Sequence, residues 1–271
     1  MTHLKGIYEP GEASSILYLL FEEFAGIKRE EIIRDGERIL QEEEIQKLDK
    51  AFQELSTGRP VQYVVGHAWF CGLKFKVDER VLIPRPETEE LVKLVLNMSP
   101  SPKKILDIGT GSGCIPIAIK KSLPETEGHS MDVSEDALKL ASGNAKLNDV
   151  SVNFLHEDIL IAVPVKESYD VIVSNPPYIP FSEKERLHKN VTTFEPHLAL
   201  FVDDDDPLIF YRMIAEYAAV ALTAGGKLLV EIHQELGEGV KELFERNGFA
   251  AEIIKDQFGN ARFVKGIADK K

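Results

Sequence analysis

Ile105-Leu106-Asp107-Ile108-Gly109-Thr110-Gly111-Ser112-Gly113-Cys114-Ile115 is the stretch on which the fold turns. An apolar run ends in a carboxylate, three glycines follow at alternate positions, and apolar residues then resume, which reads as strand, loop and helix. Glycines in such a loop let a ligand approach the backbone with no Cβ in the way. A dinucleotide fingerprint needs G-x-G-x-x-G; counted from Gly109 its third position falls on Cys114, so that pattern fails.

Working outward, apolar, β-branched runs recur at 104–108, 129–133, 152–156, 169–174, 226–232, 250–255 and 262–267, with helical spacing between most of them. Strands alternating with helices predict an α/β fold, a doubly wound seven-stranded sheet. Asp256-Gln257-Phe258-Gly259-Asn260-Ala261 is too short to hold a crossover helix, so the last strand is expected to run antiparallel.

Upstream, an amphipathic helix is expected from Thr88 to Met98. Ile16, Leu17, Leu20, Phe24, Ile45, Leu48, Phe52 and Leu55 recur at three and four, the signature of a small helical bundle. Ser56 to Pro60 breaks that texture, and alternation around Trp69 to Phe75, punctuated by Gly72 and Asp78, reads as a β-hairpin. The division is therefore a helical part at 1–65, a hairpin linker at 66–83 and a larger α/β part at 84–271.

The chain has 271 residues, 45 acidic and 32 basic, for a formal charge of -13. That balance repels nucleic-acid phosphates, so no stable nucleic-acid binding is expected. Residues 1–10 lack a basic segment followed by an apolar one, and no stretch approaches a membrane span; a cytoplasmic protein without a membrane anchor is expected. Cys71 and Cys114 are too few for a disulfide scaffold and read as buried small hydrophobes. No His/Cys/carboxylate group has metal-ligand spacing, so no metal is expected.

The chemistry gathers at strand ends. Asp107 closes the first strand, Asp132 the second and Asp158 the third, and the carboxyl ends of such strands line the crevice where doubly wound sheets bind ligands. The glycine spacing matches the loop with which methyltransferases cradle S-adenosyl-L-methionine. On that reading Asp107 faces the ammonium group, with Gly109, Thr110, Gly111 and Gly113 as the cradle. Asp132 with Val133 takes the ribose hydroxyls, and Asp158 with Ile159 takes the adenine.

The fourth strand runs straight into Asn175-Pro176-Pro177-Tyr178. Two prolines remove two donors and fix φ, leaving rigid carbonyls in the crevice. The Asn175 oxygen and a fixed carbonyl can hold both hydrogens of an NH2 group, while Tyr178 supplies a flat face and a ring that attracts a sulfonium. Asn175 borders cofactor and substrate alike. This tetrapeptide specifies a planar nitrogen, amide or adenine N6, and not the molecule that carries it.

The flanking motifs are more specific. Gly58-Arg59-Pro60-Val61-Gln62-Tyr63, Ile83-Pro84-Arg85-Pro86-Glu87-Thr88-Glu89, Phe194-Glu195-Pro196-His197-Leu198-Ala199-Leu200 and Asp256 to Arg262 resemble the release factor glutamine N5-methyltransferases of the PrmC/HemK type over nearly the whole chain. The resemblance implies a class I methyltransferase fold and methyl transfer to the glutamine of a release factor's Gly-Gly-Gln motif, with S-adenosyl-L-homocysteine as coproduct. It implies peptide chain release factors as protein substrates, docked with help from the helical part, and a monomeric enzyme. Asn175, the Pro176 carbonyl and Tyr178 would hold the glutamine, and Arg85 and Glu87 would lie beside it.

Overall fold

The computed structural model describes residues 8–34 and 38–269. Residues 1–7, where most of the leader reading falls, lie outside the described residues. Contacts divide the chain into two units, residues 1–67 with 188–194, and residues 68–187 with 195–271.

The first unit is helical: α1 (Pro10–Ala25), α2 (Arg29–Arg34), α3 (Glu42–Ser56) and α4 (Val61–Val65). Ala13, Ile16 and Leu20 of α1 and Leu48, Ala51 and Leu55 of α3 bury the apolar stripe that their spacing announces. Gly26, in the left-handed region at φ 63°, ends α1. A capping box starts α3, with the Gln41 backbone N–H donating to Glu44 Oε2 at 2.8 Å.

A hairpin follows, β1 (His67–Phe70) and β2 (Leu73–Lys76). Its two turn residues, Cys71 and Gly72, have φ of 49° and 73°, the pattern of a type I′ turn. Cys71 accepts this costly conformation with its N–H donating to Glu89 Oε1 at 2.7 Å. Cys71 is therefore half-exposed at a turn, not buried as its composition suggests; Cys114 is buried. Burial pushes the Cys114 thiol up to about 12, and burial with the Glu89 charge pushes Cys71 up to about 11, so neither offers a thiolate at neutral pH.

The larger unit continues as α5 (Thr88–Leu96), β3 (Lys104–Ile108), α6 (Cys114–Ser122), β4 (Glu127–Asp132), α7 (Glu135–Leu147), β5 (Asn153–His156), β6 (Tyr169–Ser174) and β7 (Ile179–Pro180). After α8 (Lys189–Phe194), which groups with the first unit, come β8 (Phe201–Val202), α9 (Ile209–Ala221), β9 (Leu222–Glu231), α10 (Gly237–Arg246), β10 (Phe249–Lys255) and β11 (Ala261–Ala268). The seven-stranded sheet has the order β10-β11-β9-β6-β3-β4-β5. Pairs β3·β4, β4·β5, β3·β6 and β6·β9 are parallel, and β11 alone is reversed, antiparallel to both its neighbours. This is the doubly wound sheet with a reversed last strand that the chain pattern predicts.

Apolar side chains fill both faces: Leu106, Ile172, Leu228 and Tyr211 on one, Ile105, Val171, Leu229 and Ile117 on the other. The strand order reverses between β3 and β6, and the open crevice of such a sheet lies beyond the carboxyl ends of these strands.

Asn144 of α7 ties the hairpin to the glycine loop. Its Oδ1 accepts from Lys76 N–H at 2.7 Å, and its Nδ2 donates to the carbonyls of Lys76 at 3.0 Å and Ser112 at 2.9 Å. The residue is fully buried, so Asn144→Ala strands three backbone groups away from water. The expected cost is about 3 kcal/mol, read as a lowered guanidinium midpoint. An unchanged midpoint would show that water replaces the amide.

Candidate functional site

The crevice is a cavity of about 190 Å³, roughly a dozen times what one water needs, so it has room for an organic ligand. Gly109, Thr110 and Gly111, Asp132 and Val133, Asp158 and Ile159, and Asn175, Pro176 and Pro177 all line it. Residues read from four separate strand ends thus meet in one cleft. Arg85 lines it too; Asp107, Gly113, Tyr178 and Glu87 are not among its lining residues.

The glycine loop is held from beneath. Gly109 and Thr110 donate their N–H groups to the Met131 carbonyl at 2.9 and 3.1 Å, and Gly111 N–H donates to Asp132 Oδ2 at 2.9 Å. Asp132 Oδ1 accepts from Ser134 N–H at 2.8 Å, so one carboxylate shapes both the loop and the start of α7. Burial holds the Asp132 carboxyl above its usual range. Gly111 has φ 52°, and a Cβ built there meets nothing within 4 Å, which is open cleft; one on Gly113 would press on Ala141 and Ile117 at 3.0 Å. The first glycine faces open space, and the second lets α6 and α7 pack closely.

Asp107 is fully buried under this loop. Ser130 Oγ donates to its Oδ2 at 3.3 Å, while Asp107 Oδ1 and Thr110 Oγ1 are both buried without a hydrogen-bond partner. Burial pushes the Asp107 carboxyl up to about 7, against the pull of the nearby Thr110 and Ser130 hydroxyls. An orphaned carboxylate oxygen and an orphaned hydroxyl beneath a glycine cradle form a donor set suited to a cationic ammonium group, so the residues present fit S-adenosylmethionine.

At the other wall, Ser174 Oγ donates to the Ile108 carbonyl at 2.7 Å, pinning the end of β6 to the end of β3. Asn175 to Tyr178 then span the gap to β7, which pairs with β8 in the register Ile179↔Phe201 and Pro180↔Val202. Both ends of the double-proline segment are therefore fixed. Asn175 Nδ2 donates to Thr88 Oγ1 at 3.1 Å, Thr88 Oγ1 donates to Glu231 Oε2 at 2.7 Å, and Tyr178 Oη donates to Glu231 Oε1 at 3.3 Å. Burial, and then the Glu231 charge, hold the Tyr178 phenol above its usual range.

The pairing of motifs is now visible. Glu195 Oε1 accepts from Arg85 at 2.6 Å and its Oε2 accepts from Ile83 N–H at 3.1 Å, so the segment from 83 to 88 is clamped by the segment from 195 to 199. Pro196, Leu198 and Ala199 add apolar lining, as do Phe210 and Ile214 of α9. Sequence reasoning quotes both motifs but gives Glu195 no role, and it misses Glu231 altogether. The signal for Glu231 was a lone carboxylate within the apolar run Leu228 to Ile232.

Comparison with known proteins shows what the chain is similar to. The methyltransferase small domain model matches residues 88–194, and the PrmC N-terminal domain model matches residues 3–66. The release factor glutamine methyltransferase of Flavobacterium psychrophilum is 42% identical over 268 residues, covering 97% of this chain and 94% of the relative. That of Bacteroides thetaiotaomicron is 41% identical, covering 96% of this chain and 95% of the relative. Among solved structures, a methyltransferase from Pyrococcus furiosus superposes with a TM-score of 0.55 at 20% identity, covering 73% of this chain and 90% of the other, a likeness of fold.

Proposed function

This chain belongs to the release factor glutamine methyltransferase family, and from that premise we propose that it methylates N5 of the glutamine side chain in a release factor's Gly-Gly-Gln motif. It is an S-adenosylmethionine-dependent enzyme. The observation that carries the finer reading is the Asn175 amide. Asn175 lines the cleft and its nitrogen donates to Thr88, which supports reading its oxygen as the acceptor for the substrate.

Bound S-adenosylmethionine supplies an electrophilic methyl group on a positively charged sulfur. The buried Asp107 and the glycine cradle hold its methionine end, Asp132 and Val133 its ribose, and Asp158 and Ile159 its adenine. Asn175 Oδ1 and the Pro176 carbonyl accept the two N–H bonds of the glutamine amide. An amide nitrogen has a delocalised lone pair, so its attack requires pyramidalisation and develops positive charge. Two fixed acceptors stabilise that charge more in the transition state than in the ground state, and the rigid Pro176-Pro177 turn sets the approach. Arg85, Glu87 and Tyr178 border the amide.

The helical part at 1–65 serves to dock the release factor, 66–83 links, and 84–271 carries the chemistry, in a monomeric, cytoplasmic enzyme. Among the described residues no helix is long and apolar enough to cross a membrane. Incubation with methyl-labelled cofactor and, in parallel, release factor and DNA tests the reading. The label is expected on the Gly-Gly-Gln glutamine. Label on adenine, or on a different release-factor residue, would overturn it.

A further inference from the structure

We propose that Glu231 and Thr88 are positioning residues which fix the facing of the Asn175 amide, so that its oxygen and not its nitrogen meets the substrate. The inference rests on the reading of Asn175 as the acceptor for the substrate N–H.

The direction of the hydrogen-bond chain follows from what each group can donate. Glu231, at the end of β9, is 1% exposed, and a carboxylate placed there is costly unless it is satisfied. As a carboxylate it only accepts. Thr88 and Tyr178 therefore each give it their one hydroxyl proton, at 2.7 and 3.3 Å. With its proton spent, Thr88 Oγ1 can only accept from Asn175, at 3.1 Å, and what it accepts is an N–H. The NH2 end of Asn175 is thereby turned to the wall. Its other end, the carbonyl oxygen, is presented to the cleft that Asn175 lines.

A simpler role for Glu231, capping the start of α5, is not served. No side chain caps that helix, and the hydrogen bonds described for the Glu231 carboxylate come from the two hydroxyls. The members come from the start of α5, the end of β6 and the end of β9, three segments far apart in the chain. The same carboxylate holds Tyr178 at the far end of the double-proline turn, so one buried charge orients both flanks of the segment. Burial raises the Glu231 carboxyl above its usual range, and the Thr88 hydroxyl, the Arg262 charge and the Tyr178 hydroxyl pull it back toward the charged form, with Glu87 opposing them.

The test compares Thr88→Val, Thr88→Ser, Glu231→Gln and Asn175→Ala in the full chain. It reads kcat and KM with release factor, Kd for S-adenosylmethionine and a thermal melt. Thr88→Val is expected to lower kcat roughly 10- to 30-fold with cofactor affinity unchanged, the size typical of groups that orient a reactive residue. Thr88→Ser, which keeps the hydroxyl, should restore most of it. Glu231→Gln can donate to Thr88, frees the threonine proton to seek the Asn175 oxygen, and should cut kcat comparably. A folded Thr88→Val enzyme with wild-type kcat overturns the inference, as does Thr88→Ser as slow as Thr88→Val. If Glu231→Gln fails to fold, the two Thr88 variants still decide. An active Asn175→Ala enzyme overturns the acceptor reading and this inference together; an inactive one with a fully active Thr88→Val enzyme overturns only this inference.

Discussion

Asn175→Ala is expected to lower kcat by roughly 100-fold or more while leaving the dissociation constant for S-adenosylmethionine nearly unchanged. On the proposed reading the cofactor is held at the ends of β3, β4 and β5, where the hydrogen bonds run among Met131, Gly109, Thr110, Gly111, Asp132 and Ser134 and none involves Asn175. Truncation removes an acceptor held in place before the reaction, by Thr88 on one side and the Ser174–Ile108 hydrogen bond on the other. Such a group contributes where charge develops, so the loss belongs in kcat and not in ground-state binding. Single-turnover rates with saturating cofactor, beside calorimetric titration of the cofactor alone, check it. A parallel loss of cofactor affinity would move Asn175 from the chemistry into the binding site.

Why part of this site is legible in the chain and part is not follows from sequence separation. The glycine loop, the strand-end aspartates and the double-proline turn are each local, and each declares itself in a few residues. The strands β3 and β6 coincide with the runs read at 104–108 and 169–174 because each carries a buried apolar centre, Ile105 and Leu106 in one and Val171 to Val173 in the other. β4 begins at Glu127, two residues before the run suggests, because Glu127 and Gly128 are held as strand by pairing with Lys104 and Ile105. β9 begins at Leu222 and not 226: Thr223 to Gly226 look like a turn, and the register against β6 jumps from Tyr169↔Leu222 to Val171↔Lys227 there. The helix read as Thr88 to Met98 stops at Leu96. The two-residue ladder of β7 and β8 contains Pro180 and has no pattern to read. Thr88, Asn175 and Glu231 are separated by 87 and 56 residues, and only the folded sheet brings them into one chain of hydrogen bonds.

Asp107→Asn should stabilise the ligand-free protein and weaken its hold on S-adenosylmethionine. Asp107 is fully buried, and carrying its carboxyl from 3.8 to about 7 means that the folded state holds a proton which the unfolded chain has lost. Stability from this group is therefore full below about pH 4, declines as pH rises to about 7, and is flat above; at pH 8 the buried charge costs on the order of 4 kcal/mol. The neutral asparagine escapes that penalty at every pH. Relative to wild type it should gain roughly 2 kcal/mol at pH 5.5 and roughly 4 at pH 8, several degrees in the melting midpoint. The same substitution removes the negative charge beneath the glycine cradle, so affinity for the cationic cofactor should fall about tenfold or more. A buried carboxyl with one oxygen lacking a partner is then a cost in stability that is recovered when a cation binds, as expected where function and not packing selects the residue. Melts of both proteins at the two pH values, with and without cofactor, check it. A stability gap that stays constant with pH would mean that the Asp107 carboxylate is already satisfied in the free enzyme, and the ammonium group would then have to be held elsewhere.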